Sequence, residues 1–202
     1  MPFVSKHKVR FASLCLMAVG ATASLAQAAM PPEEILIPGD RVFPESITSA
    51  ADGSVFTGSI AARTIFRAKS GSGTAEVWIA PATDNTQGIF GVFVDEKAKT
   101  LWACFSNIGP PQAGATPPQA ALHAFDLKSG KPKGAYPFPT AGGMCNDIAV
   151  GADGTAYATD TANMQVVRLR KGAKEVEVWG GSNGEFGPKG GVLDGIAVIK
   201  DR

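Results

Sequence analysis

The stretch NDIAVGADGTAYATDTANMQVVRLRKGAKEVEVW, from Asn146 to Trp179, decides how the whole chain is read. Its short runs, apolar or alternating apolar and polar, are broken by Gly, Asp and Lys, the pattern of brief strands joined by tight turns. An earlier stretch, PESITSAADGSVFTGSIAARTIFRAKSGSGTAEVWIAP from Pro44 to Pro81, lies on it without a gap. Ile47 matches Ile148, Asp52-Gly53 matches Asp153-Gly154, and Arg67, Glu76 and Trp78 match Arg168, Glu177 and Trp179, always 101 residues apart. Such self-similarity at a fixed spacing marks an internal structural repeat.

A third copy fits between these two. It reads IFGVFVDEKAKTLWACFS, then a Pro-rich insert from Asn107 to Gln119, then ALHAFDLKSGKPKGAYPFP. A fourth start appears at LDGIAVIKDR, where Ile196 follows Ile148 by 48 residues. Each unit holds four strands with an Asp-Gly turn between the first two, so the predicted fold is all-β, a β-propeller with four-stranded blades. A β-sandwich of unrelated hairpins is the alternative, but it needs no such repetition. The expected blades are about 43–87, 88–142, 143–190 and an incomplete 191–202, preceded by a lead-in at 29–42. Asp201 falls where Asp52 and Asp153 open their first turns, so Arg202 lies inside the fourth unit's first hairpin. Three blades and one strand do not close a ring, and the expectation is a piece of a longer protein, with pairing to a second chain as the alternative.

The first 28 residues differ in kind. Lys6, Lys8 and Arg10 precede the apolar run FASLCLMAVGATASLA, which ends in Ala26-Gln27-Ala28. This is the pattern of a secretory signal peptide cleaved after Ala28, predicting an exported, periplasmic or secreted protein; an uncleaved anchor is the alternative. Cys15 sits within the apolar run, not after it as a lipoprotein would require. Beyond Ala28 no apolar run is long enough to cross a membrane as a helix, so no membrane partner is expected after cleavage. Removing the segment leaves 16 Lys and Arg against 18 Asp and Glu, which gives no basic face for nucleic acid. Cys104 and Cys145 remain; an oxidising compartment allows them to pair, and two buried thiols fit the sequence as well.

In a propeller the first strand of each blade lines the central channel, so one repeat position converges on the axis. Two residues before the key aliphatic stand Glu45, Phe90, Asn146 and Asp194. Two carboxylates and an amide aimed at one point form a hard-oxygen site suited to Ca²⁺ or a similar divalent ion. Ordinary turn-capping roles for Glu45, Asn146 and Asp194 are the plainer reading. Zinc is disfavoured, because the mature chain has a single His, His123, and no Cys/His cluster. The same count leaves no nucleophile triad, and His123 is expected on an outer face. Trp78 and Trp179, at equal places in two blades, are expected to pack between or at the edge of blades, and Arg67 and Arg168 to be structural.

The order signal peptide, FPESI, CNDIAVGADGTAYATD and LDGIAV resembles the exported branch of the senescence marker protein/gluconolactonase (regucalcin-like) family, six-bladed propellers related to the paraoxonases. The resemblance covers residues 35 to 202, about the first half of a family member. It implies a divalent ion, usually calcium, held by a first-blade Glu that falls on Glu45. It implies a substrate or metal contact at Asn146, a metal ligand at Asp194 where the family usually has Asn, and none at Phe90. A small lactone or ester is the implied substrate. Two departures stand out: Met144 replaces an Arg that grips a sugar acid in gluconolactonases, and the family's Asp ligand and proposed base belongs to a fifth blade, beyond residue 202. The competing readings are a non-catalytic periplasmic propeller that binds a partner, with the insert at 107–119 as contact loop, and an inactive product.

Overall fold

The computed structural model describes residues 32–81, 86–108, 118–187 and 192–199. The two Asp-Gly turns that carried the repeat are superposable in their bonding. Asp52 Oδ1 accepts from Ser54 N at 2.8 Å, and Asp153 Oδ1 accepts from Thr155 N at 2.9 Å. Gly53 and Gly154 supply the positive φ, 82° and 84°, that such turns need and that a side chain resists. Each turn closes a hairpin, and each hairpin opens a four-stranded meander.

Three antiparallel sheets result, each in simple chain order. The first runs β1 (Pro44–Ser49), β2 (Val55–Ser59), β3 (Ile65–Ala68) and β4 (Glu76–Ile79). The second runs β5 (Gln87–Asp95), β6 (Thr100–Asn107), β7 (Ala121–Asp126) and β8 (Pro132–Pro137). The third runs β9 (Cys145–Val150), β10 (Ala156–Asp160), β11 (Gln165–Leu169) and β12 (Glu177–Gly180). The first strands of neighbouring sheets pack together, β1 on β5 and β5 on β9, which puts them innermost. Among the described residues no helix is present.

The middle sheet is buried on both faces, and that explains the near-continuous apolar run of β6. Leu101, Ala103 and Phe105 face the first sheet, joining Phe56, Ile65, Ile89 and Val92. Trp102 and Cys104 face the third, joining Phe90, Leu122, Ile148 and Val167. The lead-in covers the far side of the first sheet: Leu36 bridges Thr74, and Val42 packs with Phe66, Ala68 and Ala75.

Cys104 on β6 and Cys145 on β9 form a disulfide, with Cα atoms 5.1 Å apart, so the pairing left open by the sequence is resolved. Closing a loop between residues 41 apart in sequence restricts the unfolded chain by about 4 kcal/mol on the loop-entropy model. One expectation needs correction. His123 is not a solvated outer residue: it is half-buried on β7, stacked on Phe105 at 3.9 Å, because β7 lies inside the doubly covered sheet. Residues 192–199, where the sequence places the start of a fourth blade, follow the third sheet and form no ladder among the described residues. Most of the Pro-rich insert, 109–117, and the segment 1–31, where a signal peptide is expected, lie outside the described residues.

Candidate metal centre

The candidate ligands stand in a repeated irregularity of the backbone. In β1 the register with β2 shifts between Pro44 and Ile47, enclosing Glu45 and Ser46. In β5 it shifts between Ile89 and Val92, enclosing Phe90 and Gly91. In β9 it shifts between Cys145 and Ile148, opposite Ala158 and Asp160, enclosing Asn146 and Asp147. One extra residue per first strand is a β-bulge, a device that re-aims a side chain at a strand end. All three sheets therefore turn the same repeat position out of the pleat. Upstream of Glu45, Arg41 and Phe43 adopt left-handed φ values of 53° and 47°, which bury Val42 and direct the chain into β1.

Glu45, Asn146 and Asp194 come together. With its amide nitrogen toward the two acids, Asn146 donates from Nδ2 to Asp194 Oδ1 at 3.0 Å and to Glu45 Oε1 at 3.3 Å. Its oxygen accepts from Thr161 Oγ1 at 3.2 Å. Asn146 is buried, whereas Glu45 and Asp194 keep an open solvent side. The segment bearing Asp194 is clasped to the third sheet by side chains. Thr159 Oγ1 donates to Asp194 O at 2.7 Å, Thr161 Oγ1 donates to Leu193 O, and Asp147 Oδ2 accepts from Ile196 N at 3.0 Å.

Like charge accumulates here. The Glu45 carboxyl is pushed above its ordinary value of 4.5, first by burial among neighbouring atoms, then by the negative charges of Asp194 and Asp147. A divalent cation would offset that repulsion, and a carboxylate, an amide and a second carboxylate are the oxygen donors such an ion prefers. The residues present therefore fit the ion that the resemblance implies. Among the described residues no three His, Cys, Asp or Glu side chains form a metal-holding group by themselves. A hard-cation site at this place depends on the Asn146 amide.

The other named residues lie elsewhere. Phe90 occupies the matching position of β5 but points into the core, 7% exposed. Met144 is half-buried, and its backbone N–H donates to the buried Asp160 at 2.9 Å. Arg67 and Arg168 make equivalent ion pairs at 2.7 Å, with Glu76 and Glu177. Trp78 packs edge-on against Phe56 at 4.9 Å and Trp179 against Tyr157 at 5.4 Å, both sheet-packing roles.

Three contributors escaped the sequence reading: Asp147, Thr161 and Gly91. Asp147 had a signal available, because Ser46 holds the same repeat position. Ser46 Oγ accepts from Val92 N at 3.2 Å just as Asp147 accepts from Ile196 N, so in the first and third sheets this position clasps the sheet to the segment that follows it around the axis. Gly91 lets β5 approach β9: a Cβ there would sit 2.5 Å from Asn146 O and 2.8 Å from Asp147 Cα.

No family model matches the chain, and no curated protein sequence does. Among solved structures, a catalytically inactive variant of virginiamycin B lyase from Staphylococcus aureus, determined with quinupristin, matches with a TM-score of 0.53 at 18% identity. That match covers 70% of this chain and 42% of the other. The chain has a β-propeller fold. An oxidoreductase of glucose dehydrogenase type from Thermus thermophilus matches at 13% identity and a TM-score of 0.44, over 63% of this chain and 44% of that one. The propeller thus spans less than half the length of either structure, and at these identities the likeness speaks to the fold alone.

Proposed function

We propose that this propeller is an exported, metal-dependent hydrolase of the gluconolactonase-like kind, acting on a small lactone or ester, with calcium held by Glu45, Asn146 and Asp194. One observation carries the reading: two carboxylates far apart in sequence, Glu45 and Asp194, meet on one buried amide. When bound, a divalent ion there supplies Lewis acidity toward an ester carbonyl. Glu45 and Asp194 supply the negative charge that holds the ion, and Asn146 fixes the distance between them. Met144 stands where the gluconolactonases that the sequence resembles carry an Arg gripping a sugar acid, which disfavours a sugar-lactone substrate. The disulfide fits an oxidising, extracytoplasmic setting.

Hydrolysis of a panel of γ- and δ-lactones and aryl esters, measured with Ca²⁺ and after chelation, tests the proposal. The expected result is turnover that chelation abolishes and Ca²⁺ restores. Turnover indifferent to chelation overturns the metal-dependent reading. A non-catalytic binding role has one observation in its favour, the exposed apolar side chains Ile47 and Val77 on the first sheet and Trp179 on the third. Calcium binding without turnover on any substrate of the panel would favour it.

A further inference from the structure

The Asn146 amide can be seated in two ways that exchange its oxygen and nitrogen, and Thr161 senses which is chosen. With Nδ2 toward the carboxylates, the amide donates to Asp194 and Glu45, and its oxygen needs the Thr161 hydroxyl proton across 3.2 Å. With the oxygen toward the carboxylates, three acceptors face one another, an arrangement that a cation between them makes favourable. The amide nitrogen then donates to a Thr161 Oγ1 lone pair, because a hydroxyl accepts as well as donates.

Thr161 has one proton and two claimants for it. The second is the carbonyl of Leu193, already within hydrogen-bond reach of Oγ1 and next to Asp194 in the chain. In the cation-free seating Asn146 and Leu193 compete; in the other seating Asn146 becomes a donor and the proton belongs to Leu193 alone. Thr161 is itself fixed, since its N–H donates to Met144 O at 3.0 Å.

We propose that Thr161 is a positioning residue for the ion, whose hydroxyl couples the seating of the Asn146 amide to the anchoring of Leu193 and hence of Asp194. Ion binding turns the amide, the amide releases the hydroxyl proton to Leu193, and the Asp194 segment is clasped more firmly where its carboxylate is needed. The proposal rests on the metal-centre reading above and adds a residue that touches neither the ion nor a substrate.

The test uses the full chain, ¹⁵N-labelled, with Ca²⁺ as the probe and the variants Thr161→Val and Thr161→Ser. In the unsubstituted protein the Asn146 side-chain NH₂ resonances are expected to move on saturation with Ca²⁺, together with the backbone amides flanking Leu193. Thr161→Val is expected to lose about tenfold in Ca²⁺ affinity by calorimetry, the low end for an outer-shell partner of a metal ligand. Thr161→Ser, which keeps the hydroxyl, is expected to stay within about twofold. Equal affinity in Thr161→Val overturns the coupling and leaves the metal centre standing. Should Thr161→Val fail to fold, Asn146 NH₂ resonances that stay in place while Ca²⁺ binds overturn it in the unsubstituted protein. Absence of any Ca²⁺ binding overturns the metal centre itself and this proposal with it.

Discussion

Glu45 and Asn146 occupy the same position of the repeat, 101 residues apart, and the Glu45 carboxylate lies 3.3 Å from the Asn146 amide nitrogen. Sequence equivalence has become contact because each first strand carries a bulge at that position and lines the same channel. The blade between them offers Phe90 to the core and leaves the channel to its neighbours.

Removing the Glu45 charge is expected to stabilise the ion-free protein at neutral pH. Its folded pKa lies above the ordinary 4.5, so its contribution to stability is present below about that value and lost as pH rises through the folded pKa. Glu45→Gln is therefore expected to raise the melting temperature at pH 7 in chelator. At pH 4 the difference should vanish. A melting temperature lowered at pH 7 would show that the carboxylate stabilises the ion-free state.

His123 should set part of the acid limb of stability. Burial in the aromatic stack pushes its pKa down from 6.5 to about 4, so the folded chain holds it neutral. A depressed basic group contributes stability above its unfolded pKa and loses it as pH falls, here between 6.5 and about 4. His123→Phe, which keeps a ring against Phe105, is expected to flatten the fall in melting temperature across that window. An unchanged slope would assign the acid limb to other groups.

Gly91→Ala is expected to destabilise the fold by about 2 kcal/mol, since its Cβ meets backbone that has no rotamer by which to yield. The atoms it strikes are Asn146 O and Asp147 Cα, so Ca²⁺ affinity should fall as well. Urea denaturation and calcium titration of the variant check both; normal values for each would show that β9 shifts without cost.

Breaking the Cys104–Cys145 bridge should be the most costly single change. Replacing both cysteines by Ala removes a constraint worth about 4 kcal/mol, or roughly 10 °C in melting temperature. Calorimetric melting of the double variant, or of the protein in reductant, reads this directly.

The fold was legible because its evidence is repetition. Five matched sites at one offset announce two equivalent blades, and the Asp52 and Asp153 turns reappear bond for bond. The candidate site was legible for the same reason: a position that repeats in the chain repeats around the axis. Three features were not. The bulges leave no mark in composition, since Glu45-Ser46, Phe90-Gly91 and Asn146-Asp147 share only their place in the unit. The burial of His123 follows from sheets covering β7 on both sides, a consequence of assembly and not of its own neighbours in sequence. The roles of Thr159 and Thr161 depend on a segment more than 30 residues downstream folding back on them.

Calcium titration by calorimetry, on the unsubstituted chain beside Glu45→Gln and Asp194→Asn, is the decisive test of the metal centre. One saturable site per chain is expected, with at least about a tenfold loss of affinity in each variant, the effect of removing one charged ligand from a hard-cation site. Equal binding in all three proteins, or no binding by the unsubstituted chain, would contradict it.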